Sequence, residues 1–180
     1  MTHTTSAPHD GPIRRAAAQD GDLATHPLAG RWLAMGNPLL PEDPPIAAPS
    51  LFAADGTVVL VFPVTQRGPH GVIFTSPYLG TWEPESDRCG HFTAVQVLSA
   101  ADGTFLGTIT VDAYPQVGDN GQTFLDDGSR VTVTIRDATG AITEQVLPTG
   151  QPNGRPVTGV RMGVGMPGFG DRGEATLTRA

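Results

Sequence analysis

Two stretches decide how this chain reads: Gly30-Arg31-Trp32 followed by Ala54-Asp55-Gly56, and Gly80-Thr81-Trp82 followed by Ala101-Asp102-Gly103. Each runs from a Gly-x-Trp entry through an apolar, β-type run to a tight turn, the pattern of antiparallel strands joined as a meander. Gly56 and Gly103 supply the positive φ that such turns need. Asp137-Ala138-Thr139-Gly140 repeats the same chemistry further on.

Working outward, strands are expected at 28–35, 50–53, 57–64, 78–83, 91–99, 104–114, 122–125, 130–136, 141–147 and 156–163, with a further one near 175–177. The alternation is clear in two of them. Phe105, Ile109, Val111 and Ala113 share one face of their strand, and Val131, Val133 and Ile135 share one face of another. Val58 to Phe62 is apolar at every position, so both faces of that strand should be covered, by the N-terminal or the proline-rich segment. Residues 65–76 read as a loop around Gly68-Pro69-His70-Gly71, and 38–45 as a proline-dense loop. The expectation is an all-β fold: an antiparallel up-and-down β-barrel of about 8–10 strands, closed to avoid long exposed edges.

The chain of 180 residues is enough for one domain. Residues 1–26 read as a flexible N-terminal tail and 27–180 as a single barrel domain. Gly (23) and Pro (17) exceed a fifth of the chain and charged residues are only 16%, which favours short strands and turns over helices. The net charge is −7, and the basic residues stand singly apart from Arg14-Arg15. No basic stripe exists to neutralise phosphates, so nucleic acid is not an expected partner. All eleven basic residues are arginine, which excludes lysine Schiff-base chemistry and a P-loop lysine. Cys89 is the only cysteine, so no internal disulfide forms. The first 26 residues hold no apolar run of signal-peptide length and no segment reaches membrane-span length, so a cytoplasmic protein is expected.

Gly30-Arg31-Trp32 at the first strand resembles the Gly-x-Trp of the lipocalin-type (calycin) barrels, and the meander that follows is similar in length and rhythm. The Thr-Asp-Tyr loop of that family, and its late arginine packed on the tryptophan, are not recognisable in the sequence. The second Gly-x-Trp, at Gly80, is unlike a typical lipocalin and invites comparison with allene-oxide-cyclase-like barrels. Either resemblance implies an interior cavity for a small, largely apolar molecule.

Sharper motifs do not survive inspection. Gly163-Val164-Gly165-Met166-Pro167-Gly168 fits G-x-G-x-x-G, but only twelve residues follow, too few for a βαβ unit. Cys89-Gly90-His91 places a thiol and an imidazole two residues apart, with no second cluster to complete a metal shell. Asp126-Asp127-Gly128 and Gly118-Asp119-Asn120-Gly121 lack the spaced carboxylates of a calcium loop and read as turns. Ser76 has no hydrolase context. No metal and no cofactor are implied.

The candidate ligand-binding residues are therefore Trp32, Phe62, Tyr78, Trp82, Phe105, Ile109, Val111, Val131, Val133 and Ile135. Trp32 and Trp82 have a second reading, as plugs of a barrel end. His91, Tyr114, Glu83 and Asp112 are the acid-base candidates at the cavity mouth if the protein is an enzyme. Three functions fit: a module binding a small apolar molecule, a cofactor-independent cyclase or isomerase of secondary metabolism using the same cavity, or a structural or interaction domain with a filled core. An interior above roughly 300 Å³ favours the first two. The oligomeric state stays open.

Overall fold

The computed structural model describes residues 23–165 except 41, 69, 70 and 153. The tail up to residue 22, the strand expected near 175–177 and the second half of the glycine-rich motif lie outside the described residues. Among the described residues the fold is all-β, with one short 3-10 turn at Leu23–Thr25 and thirteen strands: β1 (Gly30–Gly36), β2 (Ile46–Phe52), β3 (Thr57–Leu60), β4 (Thr65–Gly68), β5 (Gly71–Thr75), β6 (Tyr78–Pro84), β7 (Gly90–Ser99), β8 (Phe105–Ala113), β9 (Gln116–Val117), β10 (Thr123–Asp126), β11 (Thr132–Asp137), β12 (Ile142–Val146) and β13 (Val157–Arg161). Eleven of them follow the order β12-β11-β8-β7-β6-β3-β2-β1-β13-β10-β9 in one antiparallel sheet curled into a half-barrel.

The three expected turns close three hairpins. Gly56, Gly103 and Gly140 all have φ between 84° and 87°. Each glycine N–H donates to the carbonyl three residues back, and the two flanking residues then pair, as in Ala53 N to Thr57 O at 2.8 Å. This is a type I turn followed by a left-handed glycine, the usual three-residue hairpin. Asp55 Oδ1 and Asp102 Oδ1 add a bond from the N–H two residues on, 2.9 Å in each case.

The extra strands come from two places. Residues 65–76, expected as a loop, form the β4–β5 hairpin, which joins the sheet through Phe74 opposite Ser99. Thr75 anchors it, its N–H donating to Val64 O at 2.9 Å and its Oγ1 to Pro63 O at 2.8 Å. The second addition, β9, arises where the sheet forks. β8 lies beside β7 on one edge and β11 on the other, but beyond Ala113 the same strand direction continues as β9 and pairs with β10 instead. Gly90 N–H to Pro115 O at 3.0 Å and Val117 N–H to Arg88 O at 2.8 Å keep it bound to the start of β7. Pro115 has no N–H to offer, and the Tyr114 N–H turns to Asp126 Oδ2 at 2.7 Å. Asp126 Oδ1 also accepts Gly128 N–H at 2.9 Å, so one buried carboxylate satisfies the backbone released at the fork.

From the fork, β10 leads to β13 and β1, whereas β11 leads only to β12, an edge strand exposed at all five residues. Residues 23–26, read as the end of the tail, pack: Leu23 sits against the core, the His26 ring leans on Trp82 at a tilt with centroids 5.5 Å apart, and His26 Nε2 lies 2.9 Å from Ser86 O.

Candidate functional site: a hollow half-barrel

The inward positions of the sheet divide into a large-residue base and a small-residue upper part. At the base, Trp32 is fully buried, its Nε1 donating to Leu28 O at 2.8 Å and its ring edge-on to Phe124 at 5.2 Å. Trp82 donates to Ala53 O at 2.8 Å and meets Phe52 at 5.9 Å, and Phe52 in turn meets Phe92 at 5.7 Å. Arg161 of β13 lies over the Trp32 ring at 4.2 Å. Its guanidinium donates to Gly121 O at 2.7 Å, to Ala29 O at 3.0 Å and to Pro27 O. One cation thus ties the entry of the first strand to the last strand across the ring that plugs the barrel.

Above that base the inward side chains of β1 and β2 shrink to Ala34, Gly36, Ala48 and Ser50, while Ala113 of β8 stands opposite Phe92 at the floor. The strand spacing is fixed by the hydrogen-bond ladder, so small side chains leave space that no described residue refills. The result is a cavity of about 600 Å³. Phe52, Phe92 and Phe124 form its floor, and Ile109, Val111, Val131, Val133 and Ile135 its wall on β8 and β11. Phe62 closes the top, seated where Gly36 has no side chain and edge-on to Tyr78 at 5.4 Å. Among the described residues, polar side chains reach the cavity at Ser50, Asp126 and the rim, where Asn37, Glu144 and Arg155 stand. Ser50 Oγ is committed to Ala48 O at 2.9 Å.

Six of the sequence-based ligand candidates line this cavity: Phe62, Ile109, Val111, Val131, Val133 and Ile135. Four do not. Trp32 and Trp82 are plugs of the base, because their inward positions fall at the end where the strands converge. Tyr78 packs behind Phe62, and burial pushes its phenol well above the ordinary tyrosine range. Phe105 lies past an irregularity in the β7–β8 register between Leu98 and Ser99, 46% exposed and outside the lining.

The acid-base candidates are brought together, but on the outside. His91, Tyr114 and Asp112 sit at outward positions of β7 and its neighbour, since Gly90, Phe92 and Ala113 take the inward ones. His91 stacks flat on Tyr114, centroids 4.4 Å apart and planes 3° from parallel. His91 Nε2 lies 3.0 Å from Asp112 Oδ2, and Nδ1 lies 3.7 Å from Glu83 Oε1. Thr93 Oγ1 donates to Asp112 Oδ2 at 2.6 Å. Arg130 covers the other face of Tyr114 at 3.6 Å while holding Glu85 at 2.6 Å. A cleft of about 420 Å³ opens beside this stack, lined by Cys89, Gln116, Arg88 and Arg130 among others. Burial raises the Cys89 thiol above its usual range, and Arg88 is paired with Asp119. Each charged group there has a partner on the protein, so the assembly clasps β6, β7 and the β8–β9 strand externally.

Sequence reasoning missed the residues that create the space. Ala34, Ala48, Ser50 and Ala113 carry no chemical signature, and only their alternation along strands with larger neighbours was available as a signal. Phe52, Phe92, Phe124, Asp126 and Arg161 were missed because their roles depend on partners far along the chain. Among the described residues, no three His, Cys, Asp or Glu side chains converge to hold a metal ion, and no helix is long and apolar enough to cross a membrane. No protein-family model, no curated protein and no solved structure matches this chain.

Proposed function

We propose that this protein binds a small, largely apolar organic molecule inside the half-barrel. The observation that carries the reading is the cavity of about 600 Å³, twice the roughly 300 Å³ at which ligand sites begin, walled by aliphatic side chains and floored by phenylalanines. Burying a drug-sized apolar ligand there recovers roughly 25 cal/mol per Å² of apolar surface removed from water. The rim groups Asn37, Glu144 and Arg155 would orient one polar end of it.

A binding role is favoured over a cyclase or isomerase because His91, Tyr114, Glu83 and Asp112 face away from the cavity. The acid inside, Asp126, already accepts two backbone N–H groups. A filled structural core is disfavoured by the volume itself. The Trp32–Arg161 stack supports the calycin-like reading, since a late arginine packed on the Gly-x-Trp tryptophan belongs to that family.

The test is titration with a neutral fluorescent naphthylamine probe. Saturable one-to-one uptake is expected, and Ala48→Leu, which fills the cavity from an inward position, should abolish it while leaving the fold intact. A parent protein that takes up no probe, or an Ala48→Leu variant that binds as well as the parent, would overturn the proposal.

A further inference from the structure

Among the described residues, Asp126 is the charged group that lines the cavity away from its rim. It is 6% exposed, lies on the same face of β10 as Phe124 of the floor, and has Val157 opposite it on β13. Its two oxygens each accept one backbone N–H, from Tyr114 at 2.7 Å and from Gly128 at 2.9 Å. An ionised carboxylate offers about four acceptor sites, so about half of its capacity is unused. No ion pair involving it forms among the described residues. Buried charges are as a rule paired, and two amide dipoles hold a carboxylate in place without supplying a counter-charge.

Asp126 also borders the outer cleft, but a second cation is not drawn to it from that side. Arg88 and Arg130 line the cleft, bound to Asp119 and Glu85, and like charge opposes a further cation beside them. From the interior the approach runs past aliphatic side chains and the phenylalanine rings of the floor, and an aromatic ring attracts a cation where an aliphatic wall does not. The rim adds no competing net charge, since Glu144 and Arg155 are of opposite sign. The net charge of −7 draws cations to the molecule as a whole. A ligand hydroxyl fills one acceptor site of Asp126 and leaves its charge unpaired. An ammonium group fills the site and pairs the charge, in the stronger, charge-assisted form of hydrogen bond.

Resting on the apolar-ligand reading above, we infer that the ligand is a cationic amphiphile: an organic amine whose protonated nitrogen pairs with Asp126 while its hydrocarbon body fills the cavity. The experiment displaces the neutral naphthylamine probe from the full chain with n-octylamine, n-octanol and octanoate, which share a chain length and are cationic, neutral and anionic at neutral pH. Octylamine should displace the probe at least tenfold better than octanol, with octanoate the weakest. Ala48→Leu should abolish octylamine binding in calorimetry, which places the amine inside and not in the outer cleft. Asp126→Asn should bring octylamine down to the affinity of octanol. Because that variant also disturbs the bonds at the fork, the parent supplies an independent readout: the amide resonances of Tyr114 and Gly128 should shift with octylamine and stay in place with octanol. Probe uptake with octylamine no better than octanol overturns the inference and leaves the apolar-ligand reading standing. The same holds if a folded Asp126→Asn variant keeps the preference, if both ligands move the two amides alike, or if Ala48→Leu loses the probe and keeps the amine. A parent that takes up neither probe nor octanol overturns the apolar-ligand reading and this inference with it.

Discussion

The base and the upper half of this barrel are built from the same strands and behave as different materials. At the base, Trp32, Trp82, Phe52, Phe92 and Phe124 interlock edge to face, and Arg161 pins the ring of Trp32 to three carbonyls. In the upper half the same β1 and β2 carry Ala34, Gly36, Ala48 and Ser50, and the opposite wall is the β11–β12 hairpin, whose outer strand is exposed throughout. Stability resides where large residues face inward, and capacity for a ligand where small ones do. The difference teaches that a meander can hold a hollow only because one end of it is overdetermined.

The sharpest way to break the contrast is Trp32→Ala. It removes a fully buried ring, its bond to Leu28 O and the partner of Arg161, and should cost about 3–5 kcal/mol in denaturant unfolding. A loss below about 1 kcal/mol would show that the base is not what holds the barrel. Next in size is the fork. Asp126→Ala leaves the Tyr114 and Gly128 N–H groups without acceptors and should cost about 1–3 kcal/mol, with hydrogen exchange rising first at those two amides.

Ile109→Ala is of similar size in stability but separates binding from folding. Ile109 is buried but faces an existing hollow, so the loss should lie near the low end of the 2–5 kcal/mol range for such truncations, about 2 kcal/mol. Probe affinity should fall more than the melting temperature. A full core-type loss with unchanged probe uptake would place Ile109 with the base. Val146→Thr on the exposed hairpin should be nearly silent in unfolding and visible only in binding.

The smallest expected effect is pH dependence at the turns. The Thr57 N–H holds the Asp55 carboxyl below the usual carboxylate range, and the Thr104 N–H does the same for Asp102. A carboxyl depressed in the folded state adds stability that is complete above its unfolded pKa of about 3.9. That stability is lost as pH falls through the lower, folded value. Melting curves of Asp55→Ala and Asp102→Ala should therefore lie slightly below the parent at pH 6 and converge with it in acid. Asp55 should show more than Asp102, because the Asp55 turn also receives the Trp82 N–H at Gly56 O, 2.8 Å, and so is part of the base.

The local code carried most of the architecture. Turn glycines at 56, 103 and 140 and the alternation in β8 and β11 set the hairpins and the inward faces, because hairpin geometry depends on residues within five positions of one another. The same locality explains the failures. Residues 65–76 looked like a loop because Pro69 and the glycines outweigh four-residue runs, yet they pair with each other as β4 and β5, and the hairpin is held to the sheet at Ser99 and Leu98, the former 25 positions from its partner Phe74. Phe105 keeps the parity of Ile109, and only the register irregularity beside Leu98 sends it out of the cavity. His91, Tyr114, Glu83 and Asp112 do converge, but which side of the sheet they occupy follows from which face the curl encloses, and curl belongs to the whole sheet. The sequence by itself determined strands, turns and the pairing rhythm. Tertiary structure alone decided that tryptophans plug and alanines leave room, because hollow space is set by the distance between strands that never meet in sequence.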